Sequence, residues 1–429
     1  GGQSLSCRPA KSMALCCCCA DRWYALPDDS REGRAIFIIG HGGGGHKASA
    51  RAVKDALALN GIGWAEDIEQ IDCEWLVTSA ITGKPPKPGG GGEEVYNALM
   101  RRGAYRSASL LTYGAPLCAA LMRPCVQSGM RKFWRTRKPS IVVSFVPHFN
   151  SHLRNSLAGL CPLVTVATDM SSTVAHCWVD PPPSPTAGLV HYLAAGTPKL
   201  QEQARQLGWR VPHLLNSSGM VVNPAYYERP ETAADAADPA LPMTGLIFFG
   251  GFAPARTLRI VQRALRAQPD MRWVVICGHN QAMFDTLSTI DERVRALGFI
   301  PPAQVRAEMR AAAFVLGKPG PGVMAEAAVS GVPFVVERKG TMHHELGSLH
   351  WLEKSSAGVV IESLESLPAD LAERLAPCRG AIAQMDNRAV FEVATLVESL
   401  VPTADGQGSG SSGATNDGSN SGLATPFLS

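Results

Sequence analysis

Two segments each join an apolar run to a glycine-rich turn and then to a helix, and that pairing restricts the chain to a small set of folds. The first is Arg34-Ala35-Ile36-Phe37-Ile38-Ile39-Gly40, followed by His41-Gly42-Gly43-Gly44-Gly45-His46-Lys47, after which Val53, Ala56 and Leu57 recur at helical spacing. The second runs from Ala311 to Leu316 and continues as Gly317-Lys318-Pro319-Gly320-Pro321-Gly322-Val323-Met324-Ala325-Glu326-Ala327, a helix that ends at Gly331. Continuous apolar runs bounded by glycine are what parallel strands covered on both faces require. A strand, a tight turn and a new helix N-terminus present unpaired N–H groups and the positive helix end to an anion. Glu326 follows Gly322 by four residues, on the first turn or so of its helix. A carboxylate there can accept from two sugar hydroxyls while the helix end holds phosphate. The same residues serve equally as a plain strand-to-helix turn carrying a favourable acidic residue.

The remaining pattern extends this alternation. Strands are expected near 34–40, 67–72, 141–145, 163–167 and 190–194, with helices from about 47, from about 94 to 138, and from about 148. The stretch from Glu228 to Met243, with Pro230, Pro239, Pro242 and a run of Ala and Asp, reads as a linker. A second series follows at 246–249, 273–277, 314–316, 334–336 and 359–361. The expected organisation is a tail over 1–33, a first α/β domain over 34–227, the linker over 228–243, a second α/β domain over 244–402, and a disordered tail over 403–429. Both domains are expected as Rossmann-like, doubly wound parallel sheets facing one another, with ligands at the carboxyl ends of the strands, where both glycine clusters lie. The first glycine turn is not a dinucleotide fingerprint: Asp67, Glu69 and Asp72 follow it, but none is placed distinctively enough to hold a ribose.

At 429 residues and 45% hydrophobic the chain can build two cores, yet no apolar run reaches the ~20 residues that span a bilayer. Gly1 to Asp21 holds Arg8, Lys11 and several serines before its first acidic residue, as a transit-peptide remnant or an arbitrary start would. Cys16-Cys17-Cys18-Cys19 is either an acylation cluster or a compositional accident. The other cysteines lack zinc spacing, which points to a reducing compartment without a structural metal. Charge is distributed more tellingly than its net of +3. Between Val95 and Thr168 there is no Asp or Glu, but there are ten basic residues, among them Arg131, Lys132, Arg135 and Arg137, interleaved with Leu110, Leu117, Leu121 and Phe133. A basic face beside an apolar one suits an anionic membrane surface, as it also suits a solvated helix over an ordinary core. No base-reading motif accompanies it, so nucleic acid is not expected as a partner.

Several segments in order resemble glycosyltransferase family 28, the glycolipid-forming enzymes that include monogalactosyldiacylglycerol synthase and diacylglycerol glucosyltransferase. They are Gly43 to Ala50, Val142-Val143-Ser144-Phe145-Val146-Pro147-His148-Phe149-Asn150, Val164-Thr165-Val166-Ala167-Thr168-Asp169, Ser218 to Pro224, Phe248-Phe249-Gly250-Gly251, Val275-Ile276-Cys277-Gly278, and Gly317 to Ala327 with Gly331-Val332-Pro333. The resemblance covers roughly residues 34–365 and implies the GT-B fold. It implies an enzyme that transfers a hexose, galactose first, from a UDP-sugar to diacylglycerol with inversion. A UDP-glucose or UDP-N-acetylglucosamine transferase acting on another lipid, and a silent nucleotide-sugar- or lipid-binding homologue, are the alternatives. Carried over residue by residue, Glu326 holds the ribose, Pro321 and Gly322 face the diphosphate, and Gly250 and Gly251 give it room. Phe299 and Ile300 meet the uracil, and His344 and Glu345 reach the hexose. His46, at the head of the first domain's helix behind Gly44 and Gly45, is the expected general base, because its ordinary pKa lies near neutrality. Asp169 and His148 are further cleft candidates. No cofactor and no obligatory metal are expected. Val323 stands where relatives carry Thr or Ser, His344 where they carry Gln, and Ser348 where Asn is common. The expected location is the membrane periphery: the plastid envelope in a photosynthetic eukaryote, otherwise the cytoplasmic face of a bacterial inner membrane.

Overall fold

The structure is a computed structural model that describes residues 35–40, 44–84, 92–101, 105–170, 178–228, 243–342 and 345–401. Expectations for the two tails, for Cys16 to Cys19, for His344 and for most of the linker lie outside the described residues.

The first sheet is parallel and six-stranded. Its strands are β1 (Ala35–Ile39), β2 (Glu69–Asp72), β3 (Ile141–Ser144), β4 (Leu163–Val166), β5 (His191–Ala195) and β6 (Leu214–Asn216), in the order β2-β1-β3-β4-β5-β6. Every residue of β1, β3 and β4 is buried, as sequence runs without polar alternation require. The second sheet contains β7 (Thr244–Phe248), β8 (Arg272–Ile276), β9 (Val294–Leu297), β10 (Phe314–Leu316), β11 (Phe334–Glu337) and β12 (Gly358–Ile361), in the order β12-β11-β10-β7-β8-β9. Read from β7 onward, this is the doubly wound Rossmann order, whose switch point falls between the first and fourth strands. The switch points are therefore the gap between β1 and β3 in one sheet and between β7 and β10 in the other. Both glycine turns leave strands at these gaps. Two short edge strands, β6 and β9, escape the sequence pattern: one is three residues long, and the other buries only its first residue, Val294.

Helices complete each domain. In the first, α1 (Gly45–Leu59) buries Ala50, Val53, Ala56 and Leu57 against the sheet. The helices α2 (Cys73–Thr82) and α4 (Tyr105–Arg137) lie on its other side, and α3 (Gly92–Arg101) packs against α4. A Cβ at Gly129 of α4 would meet the Ala80 carbonyl oxygen at 2.2 Å, so glycine there sets how closely α4 seats on α2. The helix α5 (Asn150–Ser156) follows β3, and α6 (Pro198–Gln206), capped by the Thr197 side chain, follows β5. The second domain carries α7 (Thr257–Ala267), α8 (Gln281–Leu287), α9 (Pro302–Ala311), α10 (Pro321–Val329), α11 (Leu346–Ser355) and α12 (Leu371–Ala383).

The domain boundary expected at 244–402 needs one correction. The last helix, α13 (Ala389–Leu400), returns to the first domain, where Val390, Val393, Ala394 and Val397 pack into the core beneath β1 and β3 beside α1. Its apolar face had to be covered, and the first sheet offered the open flank. The chain thus crosses between domains twice, and the crossings are tied together. Ser218 donates its N–H to Glu392 (2.8 Å), Arg388 donates its N–H to Ser218 Oγ (2.7 Å), and Asn387 donates to the Met220 carbonyl (2.9 Å).

Candidate functional site

A single cavity of about 1740 Å³ runs between the domains and takes in both switch points. Pockets for one small ligand are typically ~300–1,000 Å³, so this one has room for two substrates. Gly44, Gly45, His46, His148, Thr168 and Asp169 line it from the first domain. Gly250, Gly251, Phe299, Ile300, Pro321, Gly322, Val323, Glu326 and Glu345 line it from the second. The residues expected at the site from the resemblance are thus brought together, apart from His344 outside the described residues and the basic residues discussed below.

The first-domain wall is built at the start of α1. Gly44 is its N-cap, Gly45 opens it, and a Cβ at either would touch nothing within 4 Å. The protein itself therefore does not demand glycine there; the open space belongs to the cavity. One residue on, His46 Nδ1 lies 3.2 Å from Thr168 Oγ1, and its ring is tilted against Trp178 at 5.8 Å. Burial lowers the His46 pKa below its ordinary value, against a hydrogen bond to the Phe145 carbonyl that acts the other way. That shift favours the neutral imidazole, the form a base needs. The hydroxyl beside the ring belongs to Thr168, a residue that no local pattern in the sequence marks, while the cleft candidate Asp169 follows it in the chain and lines the same cavity. His148 follows β3 with φ of 67°, a left-handed backbone that is uncommon outside glycine.

The second-domain wall is built from three loops. After β10, Gly317 runs so close to β7 that a Cβ would sit 2.1 Å from the Phe248 carbonyl oxygen, and Gly320 then caps α10. Glu326 is the sixth residue of α10, one turn deeper than expected from sequence. Although it keeps surface on the cavity, burial pushes its carboxyl up to about 7, against a hydrogen bond from Tyr226 that lowers it. After β7, Gly250 has φ of 88°, and Gly251 accepts the His279 N–H at 2.9 Å. After β9, exposed Phe299 stacks on His279 with centroids 4.2 Å apart and planes 17° apart, a flat surface at the expected uracil position. Lys318 stands 3.6 Å from buried Glu345 at the head of α11. Lys318 is a functional candidate beyond those the resemblance names, and a cation inside a glycine-rich anion loop is the sequence signal that marks it. Ser348 is fully buried in α11 and does not line the cavity. Among the described residues no three His, Cys, Asp or Glu side chains cluster as metal ligands.

Beyond His46 the cavity continues as an apolar groove past Val77, Leu99, Leu110 and Met122. On α4, Leu110, Leu121, Arg131, Lys132 and Arg135 are exposed and fall on one side at helical spacing. Arg137 departs from this group: it is 3.4 Å from Glu69 on β2 and lies over the Phe133 ring at 5.7 Å, so its charge is spent within the fold. No described helix is long and apolar enough to cross a membrane.

No family model matches the chain. A probable chloroplastic monogalactosyldiacylglycerol synthase of Nicotiana tabacum is 23% identical over 400 residues, which span 85% of this chain and 69% of that protein. The chloroplastic synthase 1 of Arabidopsis thaliana is 24% identical over 84% of this chain and 68% of its own length. The chain is a homologue of the monogalactosyldiacylglycerol synthases. A processive diacylglycerol beta-glucosyltransferase of Bacillus pumilus is 28% identical over a shorter stretch, 28% of this chain and 32% of that enzyme. Among solved structures, the glycosyltransferase SnogD of Streptomyces nogalater superposes with a TM-score of 0.52 at 16% identity, covering 86% of this chain and all of that one. MurG of Acinetobacter baumannii gives 0.51 at 13% identity, over 85% and 99%. These two establish the fold as GT-B.

Proposed function

We propose that the protein transfers a hexose, galactose first among candidates, from a UDP-sugar to the free hydroxyl of diacylglycerol at a membrane surface. The observation that carries this reading is the shared cavity, which sets His46 of one switch point against the helix end, Lys318 and Glu326 of the other. Uracil lies on Phe299 and Ile300, the ribose diol on Glu326, and the diphosphate at the α10 N-terminus near Gly250, Gly251 and Lys318. The acceptor hydroxyl attacks the anomeric carbon from the first-domain side, gives its proton to His46, and the bond to the diphosphate breaks with inversion. Helix end and Lys318 take up the charge of departing UDP without a resident cofactor. The relatives' chloroplastic names support the plastid envelope as its place.

The test presents diacylglycerol vesicles with UDP-galactose, UDP-glucose or UDP-N-acetylglucosamine in parallel and identifies the lipid product. Galactolipid should dominate. Transfer from another donor alone would replace galactose, and transfer from none would end the enzymatic reading. The donor half is checked by Glu326→Ala, which removes charge-assisted hydrogen bonds of roughly 1.5–3 kcal/mol each. UDP affinity should fall about tenfold or more in calorimetry; unchanged binding would take Glu326 out of the site.

The membrane half rests on the exposed face of α4. Each basic residue near an anionic surface contributes about 1 kcal/mol, and salt screens it. Binding to phosphatidylglycerol vesicles should weaken steeply with ionic strength and fall when Arg131, Lys132 and Arg135 are neutralised together. Arg137→Gln should leave it unchanged, since that charge answers Glu69. Equal binding to neutral vesicles at any salt would defeat the electrostatic reading.

A further inference from the structure

Glu326 is not approached by its own domain alone. Tyr226 closes the short turn Pro224–Tyr226, in the segment that leaves the first sheet for the second, and its side chain hydrogen-bonds the Glu326 carboxylate. That segment is fixed from both sides. Arg310 of α9 donates to the carbonyls of Ala225 (3.3 Å), Tyr226 (3.0 Å) and Glu228. Arg306 lies over the Tyr226 ring at 5.7 Å. On the other side Asn223 donates to Asp55 of α1 at 2.7 Å, on the helix whose first turn carries His46. Tyr226 is only 7% exposed, yet it reaches the same cavity as Glu326.

We propose that Tyr226 is a positioning residue for the donor: from the crossing between the two domains it orients the Glu326 carboxylate to accept from the ribose diol. An ionised carboxylate offers about four acceptor positions. One hydroxyl from Tyr226 fixes its plane and leaves the others for the diol. The direction of the electrostatics agrees. Burial drives Glu326 toward its neutral form, and a hydrogen bond donated to the charged form opposes that. Burial first, and then Glu326, raise the Tyr226 phenol well above its ordinary range, so it remains a donor at every working pH. Arg306 and Arg310 act on the pair from α9, and Lys318 and Glu345 face the same cavity from the loops after β10 and before α11. This inference rests on Glu326 as the ribose ligand.

Its test is the pH dependence of UDP-galactose binding, a donor whose diphosphate diester has no proton to lose near neutrality. Wild-type affinity should rise with pH through about 7 as Glu326 ionises. In Tyr226→Phe the midpoint should move up by about one pH unit, the equivalent of one charge-assisted hydrogen bond. Binding should then be about fivefold weaker at pH 7 and approach tenfold at lower pH, with the gap closing by about pH 9. Glu326→Gln should bind weakly with a flat profile. If Glu326→Gln binds like wild type, the ribose reading fails and this inference with it. If Glu326→Gln weakens binding while Tyr226→Phe keeps the wild-type midpoint, or loses affinity equally at every pH, the ribose reading stands and the role of Tyr226 is overturned.

Discussion

Replacing His46 with alanine should slow glycosyl transfer by about 10² to 10⁴, the usual contribution of a placed general base, while leaving UDP affinity nearly unchanged. The separation follows from the architecture. His46 belongs to the switch point between β1 and β3, whereas the loops proposed to hold the nucleotide follow β7, β9 and β10 of the other sheet. A base on the acceptor side has little to do with holding uracil or diphosphate. The wild-type pH profile should show an ascending limb below the ordinary histidine value of 6.5, because burial lowers the His46 pKa. The variant should lose that limb. Thr168→Val should reduce turnover less than His46→Ala does, since Thr168 orients the imidazole and takes no proton itself. Near-wild-type turnover of His46→Ala, measured with saturating donor, would make His46 a wall residue. The base would then be His148 or Asp169, which line the same cavity.

The parts of this site that the sequence reveals are those whose chemistry depends on neighbours in the chain. A strand, a glycine turn and a helix make an anion site locally, so Gly317 to Glu326 and the turn before His46 could be found by reading along them. The parts it hides depend on contacts between distant elements. Thr168 meets His46 across 122 positions, and Tyr226 meets Glu326 across the domain crossing. Neither hydroxyl carries a spacing that announces it. The basic face was half legible for the same reason. Helical periodicity groups Arg131, Lys132 and Arg135, but only the sheet shows that Arg137 is answered by Glu69, an acid lying before the acid-free stretch. The helix α13 is apolar on one face in any reading; which of two sheets it covers is a tertiary choice, and it covers the one built by the other end of the chain.

The largest single structural effect near the donor site is expected from Gly278→Ala. Gly278 lies two residues beyond β8 with φ of 60°, and a Cβ there would lie 2.2 Å from the Gly251 carbonyl oxygen and 3.1 Å from the Phe252 nitrogen. Both obstacles are backbone, so no side chain can swing aside. The left-handed conformation costs an L-residue about 1–2 kcal/mol, and forcing extra volume into packed structure adds about 1–3 kcal/mol. The strain has one outlet. Gly278 bridges Phe252, His279 donates its N–H to Gly251, and the Gly250-Gly251 loop must move away if the methyl is to fit. Moving it withdraws that loop from the proposed diphosphate site and disturbs the His279–Phe299 stack proposed to carry the base. Gly278→Ala should therefore lower the unfolding temperature of the second domain by several degrees, and it should weaken UDP binding by about 10² if roughly 3 kcal/mol of this strain falls on the loop. Gly380→Ala is the control: that glycine lies inside α12 with nothing within 4 Å of a Cβ, and alanine there should stabilise by about 0.5–1 kcal/mol. Calorimetric unfolding and UDP titration of the two variants read both effects. A Gly278→Ala protein that binds UDP like wild type would show that the loop after β7 is not part of the diphosphate site, whatever its cost in stability.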